Sequence, residues 1–235
     1  MGAPLKRFWK TAQVAAEDNG WSVLLDRRPL RTPARALLMV PTQPLADAIA
    51  EEWNAVGETV DPRAMQLTGL ANAAIDRVAP DPAAFARNLA LYGESDLTCY
   101  RAEGPDPLVK RQCEAWDSLL AWARRRYDVD FATTVGVIHV SQPEATVRRL
   151  AHAVTALDAF HLAALSPLVT VGGSLVAGLA VVEGAVSPEE AWDYVSVDDR
   201  WQLEQWGSDS EAELALENRR QDFMAAARFL QLLDG

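Results

Sequence analysis

The sequence predicts an α+β protein in which a small N-terminal antiparallel β domain is followed by a larger all-helical domain. Short apolar runs separated by turn residues occupy residues 12–40, which is typical of a hairpin sheet. From Thr42 onward, apolar residues recur at helical spacing, and proline or glycine separates one such stretch from the next. We therefore place the β-rich domain at residues 1–60 and the helical domain at residues 61–235.

The β domain is predicted from two turns and the short runs that flank them. Asp18-Asn19-Gly20 is a strong hairpin signal, and Asp26-Arg27-Arg28-Pro29 forms a second turn. Strands are predicted at residues 12–16, 21–25, 30–32 and 36–40. Together they form a small antiparallel sheet that ends at Pro41.

The helical domain is predicted from apolar residues that repeat every three or four positions. Helices are expected over residues 42–57, 67–78, 81–92, 107–127, 143–160 and 167–184, and further helices begin at Ser187 and Ser210. Ser187 and Ser210 each stand three residues before a glutamate, so hydroxyl and carboxylate can satisfy each other's free backbone donors. Residues 134–140 are rich in β-branched side chains and are either an extended linker or an isolated strand.

The composition limits the classes of partner. Hydrophobic residues make up 49% of the chain and charged residues 23%, which is typical of a globular protein. The formal net charge of −11 repels nucleic-acid phosphates and anionic lipids, so a basic surface on another protein is the better partner. Alternatively, the acidity serves only solubility. The apolar residues 165–182 include proline, serine and three glycines, and we expect a core helix there, not a membrane span.

The sequence also predicts a bacterial cytoplasmic location. Cys99 and Cys113 form no C-x-x-C motif and are most simply two reduced thiols. The opening residues lack the apolar core of a secretory signal, and no Arg-rich transit segment precedes Phe8.

The chain offers no recognisable catalytic motif. Its histidines, His139, His152 and His161, are too few and too scattered for most metal sites. Residues 171–174 (VGGS) lack the lysine and the spacing of a phosphate-binding loop, and no G-x-S-x-G motif is present. We therefore predict no catalytic residue, no metal, no cofactor and no small-molecule substrate.

The most informative segment is residues 197–207, which combines acids with tryptophans. On one continuous helix, the residues that would pack inward are Trp192, Val195, Leu203 and Trp206, and those on another face are Tyr194, Val197, Trp201 and Glu204. An aromatic ring beside a carboxylate, outside the apolar stripe, suits a protein interface. Alternatively, Trp201 packs on a neighbouring helix and Glu204 is merely solvated.

A series of short motifs extends over nearly the whole chain in a fixed order. They are Phe8-Trp9-Lys10, residues 25–33 (LDRRPLRTP), 45–53 (LADAIAEEW), 65–77 (MQLTGLANAAIDR), 96–101 (DLTCYR), Gln112 with Trp116-Asp117, and 202–207 (QLEQWG). Together they resemble the ATP synthase assembly chaperones of mitochondria and related bacteria, which bind the free alpha subunit. Arg27 stands where that family usually has glycine, and Gln66 where proline is usual.

The resemblance implies a β-rich N-terminal domain, a helical C-terminal domain, no chemical turnover, and a functional role for Glu204. The candidate partner-binding residues are Glu204, Trp201, Asp198 and Tyr194, and the candidate structural residues are Trp53, Asp96, Arg101 and Trp206. Trp53 fits the inward stripe of its helix, and Arg101 is expected to pair with Asp96.

These observations lead to one hypothesis and two alternatives. The hypothesis is a chaperone that covers the beta-facing surface of the unassembled ATP synthase alpha subunit until the beta subunit displaces it. The first alternative is a small cytoplasmic enzyme with a site between its two domains. The second is a permanent structural subunit of a larger complex.

Overall fold

The computed structural model describes residues 6–207 and 210–234, and the α+β fold class predicted from the sequence is confirmed. The strands are β1 (Ala12–Glu17), β2 (Gly20–Leu25), β3 (Arg28–Pro29), β4 (Met39–Val40), β5 (Tyr100–Arg101) and β6 (Thr134–Val135). The helices are α1 (Gln43–Ala55), α2 (Gln66–Ala73), α3 (Pro82–Ala90), α4 (Asp106–Tyr127), α5 (Glu144–Thr155), α6 (Ala159–Gly172), α7 (Leu175–Val182), α8 (Pro188–Val195), α9 (Val197–Trp206) and α10 (Ser210–Asp234). Residues 1–5, on which much of the prediction about a secretory signal rests, lie outside the described residues.

The N-terminal sheet is built around the predicted hairpin. β1 and β2 pair antiparallel from Ala12 opposite Leu25 to Glu17 opposite Gly20, and β2 also pairs with β3 and β4. A Cβ added at Gly20 would lie 2.5 Å from the carbonyl oxygen of Val40, so glycine is required there. The predicted strand at residues 30–32 is reduced to an isolated bridge between Arg31 and Leu37.

The second turn uses left-handed backbone at two residues that carry side chains. Asp26 has φ +54° and Arg27 has φ +93°. The Asp26 carboxylate accepts hydrogen bonds from the backbone N–H groups of Lys10 and Thr11 at 2.9–3.0 Å. These bonds hold the pKa of Asp26 below its usual value and fix the turn although Arg27 replaces a glycine.

The described residues divide into two compact units. One comprises the chain up to Asp81, Ala159–Ala164 and the residues from Arg228 onward; the other comprises Pro82–Asp158 and Leu165–Ala227. In the first unit, Trp53 on α1 is buried, and its ring centroid lies 5.0 Å from that of Trp9. The indole N–H of Trp53 donates to the Thr68 hydroxyl at 3.2 Å. The division into a β-rich domain of residues 1–60 and a helical domain of residues 61–235 stays a prediction.

The core of the second unit contains the apolar stretch 165–182, which forms two helices instead of one. Gly173 adopts φ +70° and ends α6, and Ser174 caps α7 by accepting from the N–H of Ala177. A Cβ at Gly178 would lie 2.9 Å from the side chains of Leu165 and Val169, so the two helices approach closely there. In the described part of the chain, no helix is sufficiently long and apolar to cross a membrane.

Local signals predicted other features of the helical region correctly. The capping box is present at Ser187, whose hydroxyl and the Glu190 carboxylate exchange hydrogen bonds with each other's backbone. Residues 134 and 135 form β6, so the start of residues 134–140 is a strand, but it is not isolated, because it pairs parallel with β5.

Candidate functional site

Helix α9, which carries most of the candidate partner-binding residues, lies largely at the surface. Only Val197 among its ten residues is buried. Val197 joins a cluster with Leu108, Ala115 and Trp116, and the half-buried side chains of Tyr194 and Trp201 pack against this cluster. The helix is therefore fixed on α4 along one side, and its remaining side chains are left at least partly open to solvent.

The expectation that Trp206 packs inward is wrong. Its side chain is 81% exposed, and Leu203 is only half-buried. The prediction treated residues 192–206 as one helix, but the chain breaks at Ser196 between α8 and α9. In α9 the inward positions are Val197 and Trp201, which are four residues apart, and five further residues place Trp206 on another side.

Glu204 lies on the surface and has a partner within its own chain. Its Oε2 accepts a hydrogen bond from Nη1 of Arg111 on α4 at 2.7 Å. The Glu204 side chain is 49% exposed and that of Arg111 is 45% exposed. Exposed ion pairs of this kind contribute only about 0–1 kcal/mol, so another cation can replace Arg111 at little cost to the fold.

Arg111 also connects Glu204 to Trp201. Its guanidinium carbon lies 4.9 Å from the centroid of the Trp201 ring, within the range of a cation–π contact. The carboxylate, the guanidinium and the indole therefore form one surface group across α4 and α9. The sequence analysis missed Arg111, because a pair separated by 93 residues leaves no local pattern.

Asp198 is held by a buried glutamine. Gln112 on α4 donates from its side-chain nitrogen to Asp198 at 2.7 Å and accepts from the backbone N–H of Ala102 at 2.8 Å. The backbone oxygen of Gln112 accepts from Arg101 at 2.8 Å. This glutamine joins β5, α4 and α9, and the sequence pointed to it only as part of a family motif.

The expected pair between Arg101 and Asp96 does not form. Arg101 is buried, donates to Asp117 at 2.7 Å and lies over the ring of Trp116, 5.1 Å from its centroid. Arg101 donates to both the Gln112 carbonyl and the Asp117 carboxylate, whereas Asp96 accepts from the backbone N–H of Val176 at the start of α7. The prediction paired the two charges by closeness in sequence.

Asp96 is fully buried and has four hydrogen-bond donors. Its carboxylate accepts from the N–H and hydroxyl of Thr98, the hydroxyl of Ser174 and the N–H of Val176, at 2.7–3.0 Å. Burial raises the pKa of Asp96 above its usual value, although these hydrogen bonds act in the opposite direction. Asp96 stabilises the free N-terminus of α7, which is a structural task.

Two features of the described residues bear on metal binding and on nucleophilic chemistry. Among them, no group of three or more His, Cys, Asp or Glu side chains could hold a metal ion. Burial raises the pKa of the Cys99 thiol to about 12, so it stays protonated and is a poor nucleophile. The surface group on α4 and α9 offers an acid, a cation and an aromatic ring at the surface, which is suited to binding another molecule.

Comparisons with known proteins agree on one family. The family model described as ATP12 chaperone protein matches residues 6–124. The crystal structure of Atp12 from Paracoccus denitrificans is similar, with a TM-score of 0.91 and 45% identity over 97% of this chain and 98% of that one. The crystal structure of the Atu1473 protein from Agrobacterium tumefaciens has a TM-score of 0.91 and 39% identity over 97% of this chain and 86% of that one.

A curated relative extends the similarity to a eukaryote. Protein atp12, mitochondrial, from Schizosaccharomyces pombe is 24% identical over 215 residues, which cover 86% of this chain and 74% of that protein. The resemblance to ATP synthase assembly chaperones that the motifs predicted is confirmed. The family match covers half of the chain, and the Paracoccus structure covers almost all of it, so the chain belongs to the ATP12 chaperone protein family.

Proposed function

We propose that this protein binds the unassembled alpha subunit of ATP synthase through α9 and covers its beta-facing surface until the beta subunit displaces it. The observation that carries the proposal is the surface group that Arg111 on α4 forms with Glu204 and Trp201 on α9, a helix with a single buried residue. Membership in a chaperone family supports a protein as the ligand.

Such a chaperone is needed because its client, the alpha subunit, is not yet assembled. A subunit separated from its neighbours exposes large apolar patches with polar rims, and these patches promote self-association. A specific complex buries on the order of 1,200–2,000 Å². Because the chaperone must later leave, we expect its affinity to depend on a few anchor residues.

In the proposed complex, a cationic group of the client takes the place of Arg111 at Glu204. The ion pair within the free chaperone keeps the Glu204 carboxylate oriented, and its exposure makes the pair replaceable. Contact with the client removes water from the carboxylate, which strengthens the new pair. The indole of Trp201 supplies apolar area next to the charge.

The experiment is a titration of purified alpha subunit with the wild-type chaperone and with Glu204→Ala. We expect the substitution to weaken binding by roughly 2–5 kcal/mol while circular dichroism stays unchanged. Glu144→Ala is the matched control, because Glu144 is also an exposed acid paired with an arginine. Equal affinity of wild type and Glu204→Ala would end the proposed role of Glu204.

We further propose that binding is the whole activity, without chemical turnover, and that the protein works in the bacterial cytoplasm, where its client is made. The enzyme alternative predicts large, saturable thermal stabilisation by one nucleotide, metal ion or metabolite in a screen. The alternative of a permanent subunit predicts stoichiometric co-purification with mature ATP synthase.

A further inference from the structure

Exposed apolar side chains are concentrated beside α9. In the described part of the chain, the large hydrophobic residues at the surface are Phe8, Leu91, Val135, Val137, Ile138, Trp206 and Leu214. Val137 and Trp206 line one groove, and Val135 and Ile138 are close neighbours of Val137 in the chain. Four of these seven residues therefore line the groove or stand next to it in the chain, and such a cluster is the mark of an interaction surface.

The groove has a volume of about 750 Å³ and lies between α9 and the segment around β5 and β6. Leu97, Leu108 and Trp201 give it an apolar lining. Its volume falls within the roughly 300–1,000 Å³ of pockets that bind compact ligands. All of its lining residues belong to the second of the two compact units.

The loop after β6 is anchored although its tip is exposed. Gly136 adopts φ +85° and donates from its N–H to the carbonyl of Arg101 at 2.8 Å. Further on, a ring nitrogen of His139 lies 3.2 Å from the Tyr100 hydroxyl. Between these two contacts, Val137 is 96% exposed and Ile138 is 79% exposed. The loop is thus held on both sides while it presents two apolar side chains to solvent, a preorganised arrangement that favours binding.

The charges around the groove are predominantly negative. Its charged lining residues are Arg101, Glu103 and Asp198. Arg101 is buried and already paired with Asp117, so its charge is largely compensated. Glu103 is exposed, and Asp198 accepts a hydrogen bond from the uncharged side-chain amide of Gln112. An apolar groove with an acidic rim favours apolar ligands that carry positive charge and repels acidic ones.

We propose that this groove, together with Val137 and Ile138, binds an apolar peptide segment of the client that is flanked by basic residues. The inference rests on the proposed chaperone function and adds an apolar anchor to the ionic contact at Glu204. A protein segment fits better than a small molecule, because a ligand confined to the groove would leave Ile138, which does not line it, exposed to solvent.

The first test uses peptides and does not depend on the identity of the client. A fluorescent peptide of leucine, valine and isoleucine with two lysines at each end is titrated with the full chain. A second peptide carries glutamates in place of the lysines. We expect the lysine-flanked peptide to bind at least tenfold more tightly, and Val137→Asp or Ile138→Asp to weaken its binding at least tenfold.

The matched control is Leu91→Asp, which places the same charge at another exposed apolar residue. It should change the peptide affinity by less than twofold. Because Val137 and Ile138 are exposed, circular dichroism should show all three variants folded. Equal binding of both peptides, or tight binding that survives Val137→Asp and Ile138→Asp, overturns the inference.

The second test separates this inference from the proposed function. Purified alpha subunit is titrated with the wild type, Val137→Asp and Leu91→Asp, and only Val137→Asp should bind at least tenfold more weakly. If the groove binds the lysine-flanked peptide but the wild type does not bind the alpha subunit, the proposed client is wrong and the groove inference stands. If Val137→Asp binds the alpha subunit as tightly as the wild type, the groove inference is wrong and the client stands.

Discussion

Helices α7 and α9 belong to the same compact unit and use acidic side chains in opposite ways. Six of the eight residues of α7 are buried, against one of the ten residues of α9. Asp96, which precedes α7 by many residues but packs against its N-terminus, accepts hydrogen bonds from four donors that the fold holds in place. The carboxylate of Glu204, near the end of α9, accepts instead from the long, half-exposed side chain of Arg111.

This difference separates residues that maintain the fold from residues that are available to a partner. The donors to Asp96 are backbone N–H groups and short side chains, and those of Ser174 and Val176 cannot move without breaking the start of helix α7. The donor to Glu204 is a flexible side chain at the surface, which can leave while both helices stay in place. Two acids of one chain can therefore have different tasks because of the mobility of their partners.

The largest expected effect is on the stability of the α7 region. Asp96→Ala leaves the N–H groups of Thr98 and Val176 without acceptors in the core. We expect the free energy of unfolding to fall by about 3 kcal/mol, measured by urea denaturation at neutral pH. Unchanged stability would remove the structural task assigned to Asp96 and with it the contrast between the two helices.

A pH series sharpens the same test. Burial raises the pKa of Asp96 above 3.8, so the folded protein retains a proton that the unfolded chain has already lost. The unfolding free energy of the wild type should therefore fall, relative to that of Asp96→Asn, as the pH rises from 3.8 through the folded pKa. Above the folded pKa the difference should stay constant. A difference that increases with pH would contradict the direction of the shift.

A loss of stability of intermediate size is expected at Gln112, a buried residue of α4 that is hydrogen-bonded to Asp198 on the exposed helix α9. Gln112→Leu removes the acceptor for the Ala102 N–H and the donor to Asp198. We expect a loss of about 1–3 kcal/mol in urea denaturation and weaker binding of the alpha subunit, because α9 loses a contact with α4. The control is Gln221→Leu, whose exposed amide bonds only to Glu217 on the same helix and should change stability by less than about 0.5 kcal/mol.

The smallest change in stability is expected for Arg111, the cation that pairs with Glu204 in the free chaperone. Arg111→Met keeps an apolar stem beside Trp201 and removes the exposed ion pair, so stability should change by less than about 1 kcal/mol. Because the client's cation no longer competes with Arg111, binding of the alpha subunit should tighten by up to about fivefold. Lys110→Met, at a neighbouring exposed cation, should leave affinity unchanged. A weaker complex with Arg111→Met would identify Arg111 itself as a contact to the client.

Local chemistry allowed much of the fold to be predicted from the sequence. The hairpin turn at residues 18–20 and the capping box at Ser187 each depend on residues within a few positions of each other. The fold class followed from the change in apolar spacing near Thr42. By contrast, the break at Gly173 inside an apolar run depends on Ser174 meeting Asp96, which is 78 residues away in the sequence.

The candidate site was predictable only in part. The sequence placed Trp201 and Glu204 together, because they are three residues apart on a helix. It did not indicate Arg111 or the exposed loop at Val137, since both reach the site through tertiary folding. The prediction that Trp206 packs inward was wrong because the break between α8 and α9 changes the direction in which the side chains of α9 point.

The two cysteines differ in exposure, so the molecule carries one site for selective labelling. Cys99 is buried with its thiol protonated, whereas Cys113 on α4 is half-exposed and lies two residues from Arg111. A maleimide dye should therefore attach selectively to Cys113 in the native protein. Its emission would report, in real time and without any engineered mutation, changes in the surroundings of α4 when a partner binds and leaves.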